Sequence, residues 1–293
     1  MAAGTHGGRD RWAEWLIAGR DAGLDDRGRV QAQRFLAAVR DRVLQGAQLD
    51  ADARVLDVGT GTGLVALEAR HHVVMGSVVA FDLSRDALTE LRRLVDQHRL
   101  GTALWPVQGE ATCLPFGSHS FDAVVARSVL IYVDDKRTAA SEIYRVLRPG
   151  GRVSVFEPIN AAPQRYGIGD EQVPDSLRRA DDAVRVTFEH QNEHWRSMMD
   201  FDERDLTQYF IAAGFTAVGL VYELLDITHP TSEDDVRRSI VMRGNPTAPT
   251  WAEAAQAALG ADADNYLYEL IEFRTRRPTR TLNAVAYLTA TRS

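Results

Sequence analysis

The spacing of hydrophobic positions changes several times along this chain, and each change marks an element. Trp12, Trp15, Leu16 and Gly19 recur at helical spacing, as do Val30, Phe35, Leu36, Val39, Val43 and Leu44. They predict two helices over 9–46. The break falls at Gly23-Leu24-Asp25-Asp26, a turn and N-cap composition. Short apolar runs then alternate with amphipathic segments. Strands are expected at Arg54–Val58, Val78–Leu83, Ala103–Val107, Phe121–Ala126 and Arg152–Glu157, and helices at Leu64–His72, Arg85–His98 and Asp134–Leu147. Repeated strand–helix units imply a parallel sheet with helices on both faces.

Residues 158–200 break the alternation. They are polar, carry Pro158, Pro163 and Pro174, and read as an insertion. A helix over Glu203–Ala213, stopped by Gly214, and a strand over Thr216–Asp226 follow. A second irregular region spans 229–278, with a helix near Trp251–Leu259, before a final strand at Leu282–Thr291. The organisation expected is a helical segment over 1–48 and one α/β domain over 49–293 carrying both insertions.

The chemistry begins at Val55-Leu56-Asp57-Val58-Gly59-Thr60-Gly61-Thr62-Gly63. This run closes a strand and opens a helix. Its glycines let the backbone turn tightly and approach a ligand. The helix N-terminus behind it offers free N–H groups to an anion. That anion is a pyrophosphate in a dinucleotide site, or the methionine carboxylate in an S-adenosylmethionine site. Asp57 is placed to serve the amino group of the latter. The second strand ends in Asp82, 19 residues beyond Gly63, where a carboxylate can accept both ribose hydroxyls. Asp82 alone reads equally well as a helix N-cap.

Composition narrows the partners. A formal net charge of −7 gives no basic footprint for nucleic acid. The tract Arg274, Arg276, Arg277, Arg280 reads as a solvated run. No apolar run is long enough to cross a bilayer, and the N-terminal residues have no secretory h-region, so the cytoplasm is the expected compartment. The lone Cys113 permits no internal disulfide and reads as a small buried apolar residue, or else as a pocket-lining one.

Four runs carry a family resemblance. Leu56–Gly63 resembles motif I of class I S-adenosylmethionine-dependent methyltransferases. Glu110-Ala111-Thr112-Cys113-Leu114-Pro115-Phe116, followed by Ser120-Phe121-Asp122-Ala123-Val124-Val125, resembles the loop and strand of the methyltransferase-11 group, which includes the ubiquinone and menaquinone biosynthesis methyltransferases. The helix, turn and strand from Glu142 to Val153 match the same group. The resemblance covers about 54–157 and stops before 158–278.

It implies a Rossmann-like α/β sheet in the order 3-2-1-4-5-7-6 with the last strand antiparallel. Pro106 agrees independently, since proline in the third strand suits a sheet edge. It also implies S-adenosylmethionine as cofactor and S-adenosylhomocysteine as product. Asp57, Gly59, Thr60, Gly61, Gly63, Asp82, Leu83, Glu110, Ala111, Arg127 and Ser128 would form the cofactor site. Relatives often carry a small or polar residue at the Arg127 position, so its arginine reads as a ligand contact or a structural ion-pair partner.

The expected reaction is methyl transfer to O or N, or alternatively C, of a small-molecule acceptor such as a natural product. The segment 1–48 would act as a lid, with Trp12 and Trp15 either over the site or in the core, and the insertions would lie on the acceptor side. Glu157 points toward that region. His190 and His194 share a face if their segment is helical, and either is a candidate proton acceptor. The same segment matches H-x-x-E-H, but no metal is expected. Other readings are non-methyl chemistry or binding alone on this fold, and a nicotinamide oxidoreductase. Neither nucleic-acid nor membrane partners are expected, and a homodimer stays open.

Overall fold

The sheet positions everything else in the protein. The computed structural model describes residues 9–98, 103–165, 173–229 and 231–293. Expectations touching 1–8 and 166–172 lie outside the described residues. Strands β1 (Arg54–Val58), β2 (Ser77–Asp82), β3 (Leu104–Gln108), β4 (Phe121–Arg127), β5 (Leu147–Pro158), β6 (Phe215–His229) and β7 (Thr279–Arg292) form one sheet in the order β3-β2-β1-β4-β5-β7-β6. The first five are mutually parallel, and β7 runs antiparallel to both β5 and β6. Pro106 lies in edge strand β3, where only one side must pair.

Helices α1 (Arg11–Glu14), α2 (Asp26–Ala47), α3 (Leu64–His72), α4 (Arg85–Gln97) and α5 (Lys136–Val146) follow the predicted order. A π-helical turn, Trp15–Gly19, continues α1. Asp25 caps α2, its side chain accepting from Gly28 N–H at 2.7 Å. Strand pleating divides the sheet into two cores. Leu56, Val58, Val124, Ala126, Val153 and Val155 bury one face with Ile143 of α5 and Phe210. Val55, Val78, Ala80, Ala123 and Val125 bury the other under α2, α3 and α4. Only the second half of the predicted α2 stripe reaches that core. Val39, Val43 and Leu44 are buried, whereas Val30 and Phe35 stand exposed.

The two insertions are helical rather than irregular. The first holds α6 (Ala162–Arg165), α7 (Asp175–Gln191) and α8 (Trp195–Met199), followed by α9 (Glu203–Ala213). The second holds α10 (Glu233–Val241), α11 (Trp251–Leu259) and α12 (Ala263–Thr275). They pack on each other, burying Leu177 and Val184 of α7 against Ala254, Ala255, Tyr266 and Leu270. Trp251 Nε1 donates to Tyr266 Oη at 3.0 Å, and that hydroxyl donates to Asp181 at 2.6 Å. Two stretches distant in sequence thus build one helical cap with its own core. In the first, the apolar positions are few and lie among charged residues, which hid their helical period.

Candidate active site

Three left-handed glycines shape the loop between β1 and α3: Gly59 (φ 67°), Gly61 (φ 56°) and Gly63 (φ 93°). A Cβ at Gly59 would stand 2.3 Å from Val129 Cγ2, and one at Gly61 3.0 Å from Leu16 Cδ1. The loop is therefore closed to side chains on geometry and on space. Beneath it Asp57 is buried. Its Oδ2 accepts from Thr60 Oγ1 at 2.6 Å, and its carboxylate also accepts the Ala66 amide. Burial raises its pKa to about 7.

Asp82 ends β2 beside the loop. Its Oδ2 accepts Gly61 N–H at 2.7 Å and its Oδ1 accepts Ser84 N–H at 2.8 Å. Burial raises its pKa as well. Each oxygen keeps a lone pair for a further donor. Asp82 does not cap α4; Ser84 does, accepting from Ala87 N–H at 3.0 Å. Asp82 therefore has no capping role at α4. Leu83 is 57% exposed, an apolar surface next to the acid, and Glu110 and Ala111 lie beyond β3 at the same sheet edge. The glycine cradle, the acid at the end of β2 and the apolar Leu83 fit a nucleoside cofactor with an anionic tail.

The turn after β4 brings the other half of the site. Ser128 holds a left-handed φ of 54°, uncommon for a non-glycine residue. Its N–H donates to Phe156 O at 2.8 Å. This conformation turns the next three amides toward Glu157. Val129 and Leu130 N–H donate to its Oε1 at 2.9 Å each, and Ile131 N–H to its Oε2 at 3.1 Å. Glu157 is fully buried, and burial lifts its pKa to about 7 despite those bonds. Its carboxylate thus holds a loop in place.

Tyr132, which the sequence reading passed over, sits at the end of that loop. Its ring packs against Trp12 of α1 at 4.8 Å and against His194 at 5.5 Å, and Trp12 meets His194 at 5.7 Å. The N-terminal segment, the β4 turn and the first insertion therefore meet in one aromatic cluster. Burial pushes the Tyr132 hydroxyl up to about 12 and lowers the His194 pKa. The segment is anchored elsewhere too. Ser84 Oγ donates to Asp10 at 2.7 Å, Trp15 Nε1 donates to Arg243 O at 3.3 Å, and Arg11 pairs with Glu193 at 3.3 Å.

The expected histidine pair is corrected. α7 ends at Gln191, Asn192 is extended, and His194 precedes α8. Asn192 is buried and its Oδ1 accepts from His194 N–H at 3.2 Å, so the chain turns between the two histidines. His190 is exposed on the last turn of α7, while His194 alone joins the aromatic cluster. An H-x-x-E-H pair on one helix does not exist here.

Comparison with known proteins follows the same outline. Residues 56–155 match the family model described as a methyltransferase domain. A demethylmenaquinone methyltransferase of Clavibacter sepedonicus is 34% identical over 175 residues, 57% of this chain and 67% of that protein. The ubiquinone/menaquinone biosynthesis C-methyltransferase UbiE of Roseobacter denitrificans is 29% identical over 156 residues, covering 52% of this chain and 62% of that one. The chain spans between half and two thirds of the length of the first curated relatives it matches. A geranyl diphosphate methyltransferase solved in complex with SAM superposes with a TM-score of 0.54 at 17% identity, over 98% of this chain and 96% of that one, which shows the shared fold. The chain belongs to the class I S-adenosylmethionine-dependent methyltransferases, in the ubiquinone/menaquinone-like group. S-adenosylmethionine is its cofactor. The nicotinamide oxidoreductase reading is set aside by that membership.

Proposed function

We propose that this chain methylates a small, largely apolar acceptor held between the N-terminal lid, Tyr132 and the helical cap. The Trp12–Tyr132–His194 cluster carries the reading, because it joins the N-terminal segment, the turn after β4 and the first insertion in one contact. Cofactor residues are Asp57, Gly59, Thr60, Gly61, Gly63, Asp82, Leu83, Glu110, Ala111, Arg127 and Ser128. When bound, the cofactor supplies an electrophilic methyl group on a sulfonium. The chain then aligns the acceptor and excludes water. Glu157 is a positioning residue, holding the Val129–Ile131 amides and with them the loop that sets Tyr132 against Trp12 and His194. His194, kept neutral by partial burial, takes the acceptor's proton.

The relatives named above support carbon as the methylated atom, on a quinol-like ring. Oxygen or nitrogen of a natural product remains the alternative drawn from the sequence. The test is incubation with methyl-labelled S-adenosylmethionine and a panel of demethylated naphthoquinols, phenols and amines. S-adenosylhomocysteine release with label on a ring carbon is expected. Label on oxygen or nitrogen moves the acceptor class, and no release from any member refutes the reading.

A further inference from the structure

Arg127 is the last residue of β4, and Val58 pairs with Ala126, so Arg127 stands level with Gly59 at the start of the cofactor loop. It shares a sheet face with Val125 and with Asp57, whose register partner is Val125. That face lies under α2.

Arg127 is partly buried, yet among the described residues none accepts a hydrogen bond from its guanidinium or forms an ion pair with it. The carboxylates nearby are committed. Asp57 is taken by the Thr60 hydroxyl and the Ala66 amide, and Glu157 by three amides. Arg127 therefore makes no direct ion pair, although the Asp57 and Glu157 carboxylates favour its charged form from a longer distance. A second cation stands close. Arg20, just past the π-helical turn of the lid, has its guanidinium on Asp21 at 3.3 Å, and its charge adds to burial in depressing the Arg127 pKa. Asp57 and Glu157 offset only part of the cost of burial beside a like charge, since the Arg127 pKa stays depressed. The lid passes directly over the loop, with Leu16 in contact distance of Gly61.

We propose that Arg127, together with Arg20 of the lid, binds the carboxylate of the cofactor's methionine moiety and thereby couples cofactor binding to lid closure. The inference rests on the cofactor site described above. A carboxylate suits a guanidinium fork bidentately. With the carboxylate in place, the two arginines are bridged rather than opposed, and the lid settles over the site. An acidic acceptor offers the same chemistry from another source, and the experiment separates the two.

The test titrates the full chain by calorimetry with S-adenosylmethionine and with its decarboxylated form, which keeps the sulfonium, nucleoside and amino group. Arg127→Gln is expected to weaken S-adenosylmethionine roughly 10- to 100-fold and to leave the decarboxylated ligand within about twofold. Arg127→Lys should restore part of the loss, and Arg20→Gln should show a smaller loss with the same selectivity. Hydrogen exchange over 11–20 in the wild-type chain should slow with S-adenosylmethionine and not with the decarboxylated ligand. Equal losses for both ligands would overturn the proposal in favour of a structural Arg127. Unchanged S-adenosylmethionine affinity would overturn it in favour of the acceptor. A wild-type chain that binds neither ligand refutes the cofactor site itself, which is a separate failure.

Discussion

Glu157→Gln should change the sign of its effect with pH. The side chain is fully buried, and its carboxylate accepts three backbone N–H groups. Burial outweighs those bonds and raises the pKa from 4.5 to about 7. A folded pKa above the unfolded one means that the native state binds more protons between these values. Stability then falls as pH rises through that window and levels off above it. The span corresponds to about 3 kcal/mol. Glutamine keeps the volume and one acceptor oxygen, but turns an NH₂ toward one of the amides. At pH 4.5, where wild-type Glu157 is protonated in the fold, that mismatch should cost about 1–2 kcal/mol. By pH 8 the wild-type chain has lost about 3 kcal/mol that the variant has not, so the variant should be as stable or more so. His194, with its lowered pKa, works in the opposite direction, but it is common to both proteins and cancels in their difference. Urea unfolding at pH 4.5, 6 and 8 measures the two profiles. Parallel profiles would refute the reasoning, because they would mean that Glu157 ionises in the fold as easily as in water.

Three further outcomes are expected. Asp82→Ala should weaken S-adenosylmethionine by about 1–3 kcal/mol in calorimetry, since it removes a charged acceptor beside Gly61. With an acceptor in hand, His194→Ala should lower turnover by roughly 10²–10⁴-fold with cofactor affinity retained, while His190→Ala should leave turnover unchanged. Gly46→Ala should destabilise the chain by about 1–3 kcal/mol in thermal unfolding, because its Cβ would stand 2.5 Å from Ser154 Oγ and 2.8 Å from Thr289 Cγ2 where α2 crosses the sheet.

The α/β half was legible because its signals are local. β1, α3 and α9 begin and end where the hydrophobic period and the flanking turns place them. The glycine loop and Asp82 were legible for the same reason, lying at strand ends in one short stretch. The acceptor side was not. The core of α7 comes from helices some 70 residues further on, so its apolar face has no partner in its own sequence neighbourhood. Tyr132 matters only because the strained Ser128 turn and the buried Glu157 aim the loop that carries it. His190 and His194 show the converse. Their spacing suggested a shared helix face, and the buried Asn192 turns the chain between them. The arginine tract near the C-terminus is likewise spoken for in part, Arg276 pairing with Glu272 and Arg280 with Asp226.

The central claim is that the loop Gly59–Gly63 and Asp82 hold the cofactor with its sulfur turned toward the Trp12–Tyr132–His194 cluster. A crystal structure with S-adenosylhomocysteine tests it most directly. The account predicts both ribose hydroxyls within hydrogen-bond distance of the Asp82 carboxylate and the sulfur on the Tyr132 side of the loop. A nucleoside seated away from Asp82, or a sulfur directed away from the cluster, would contradict it.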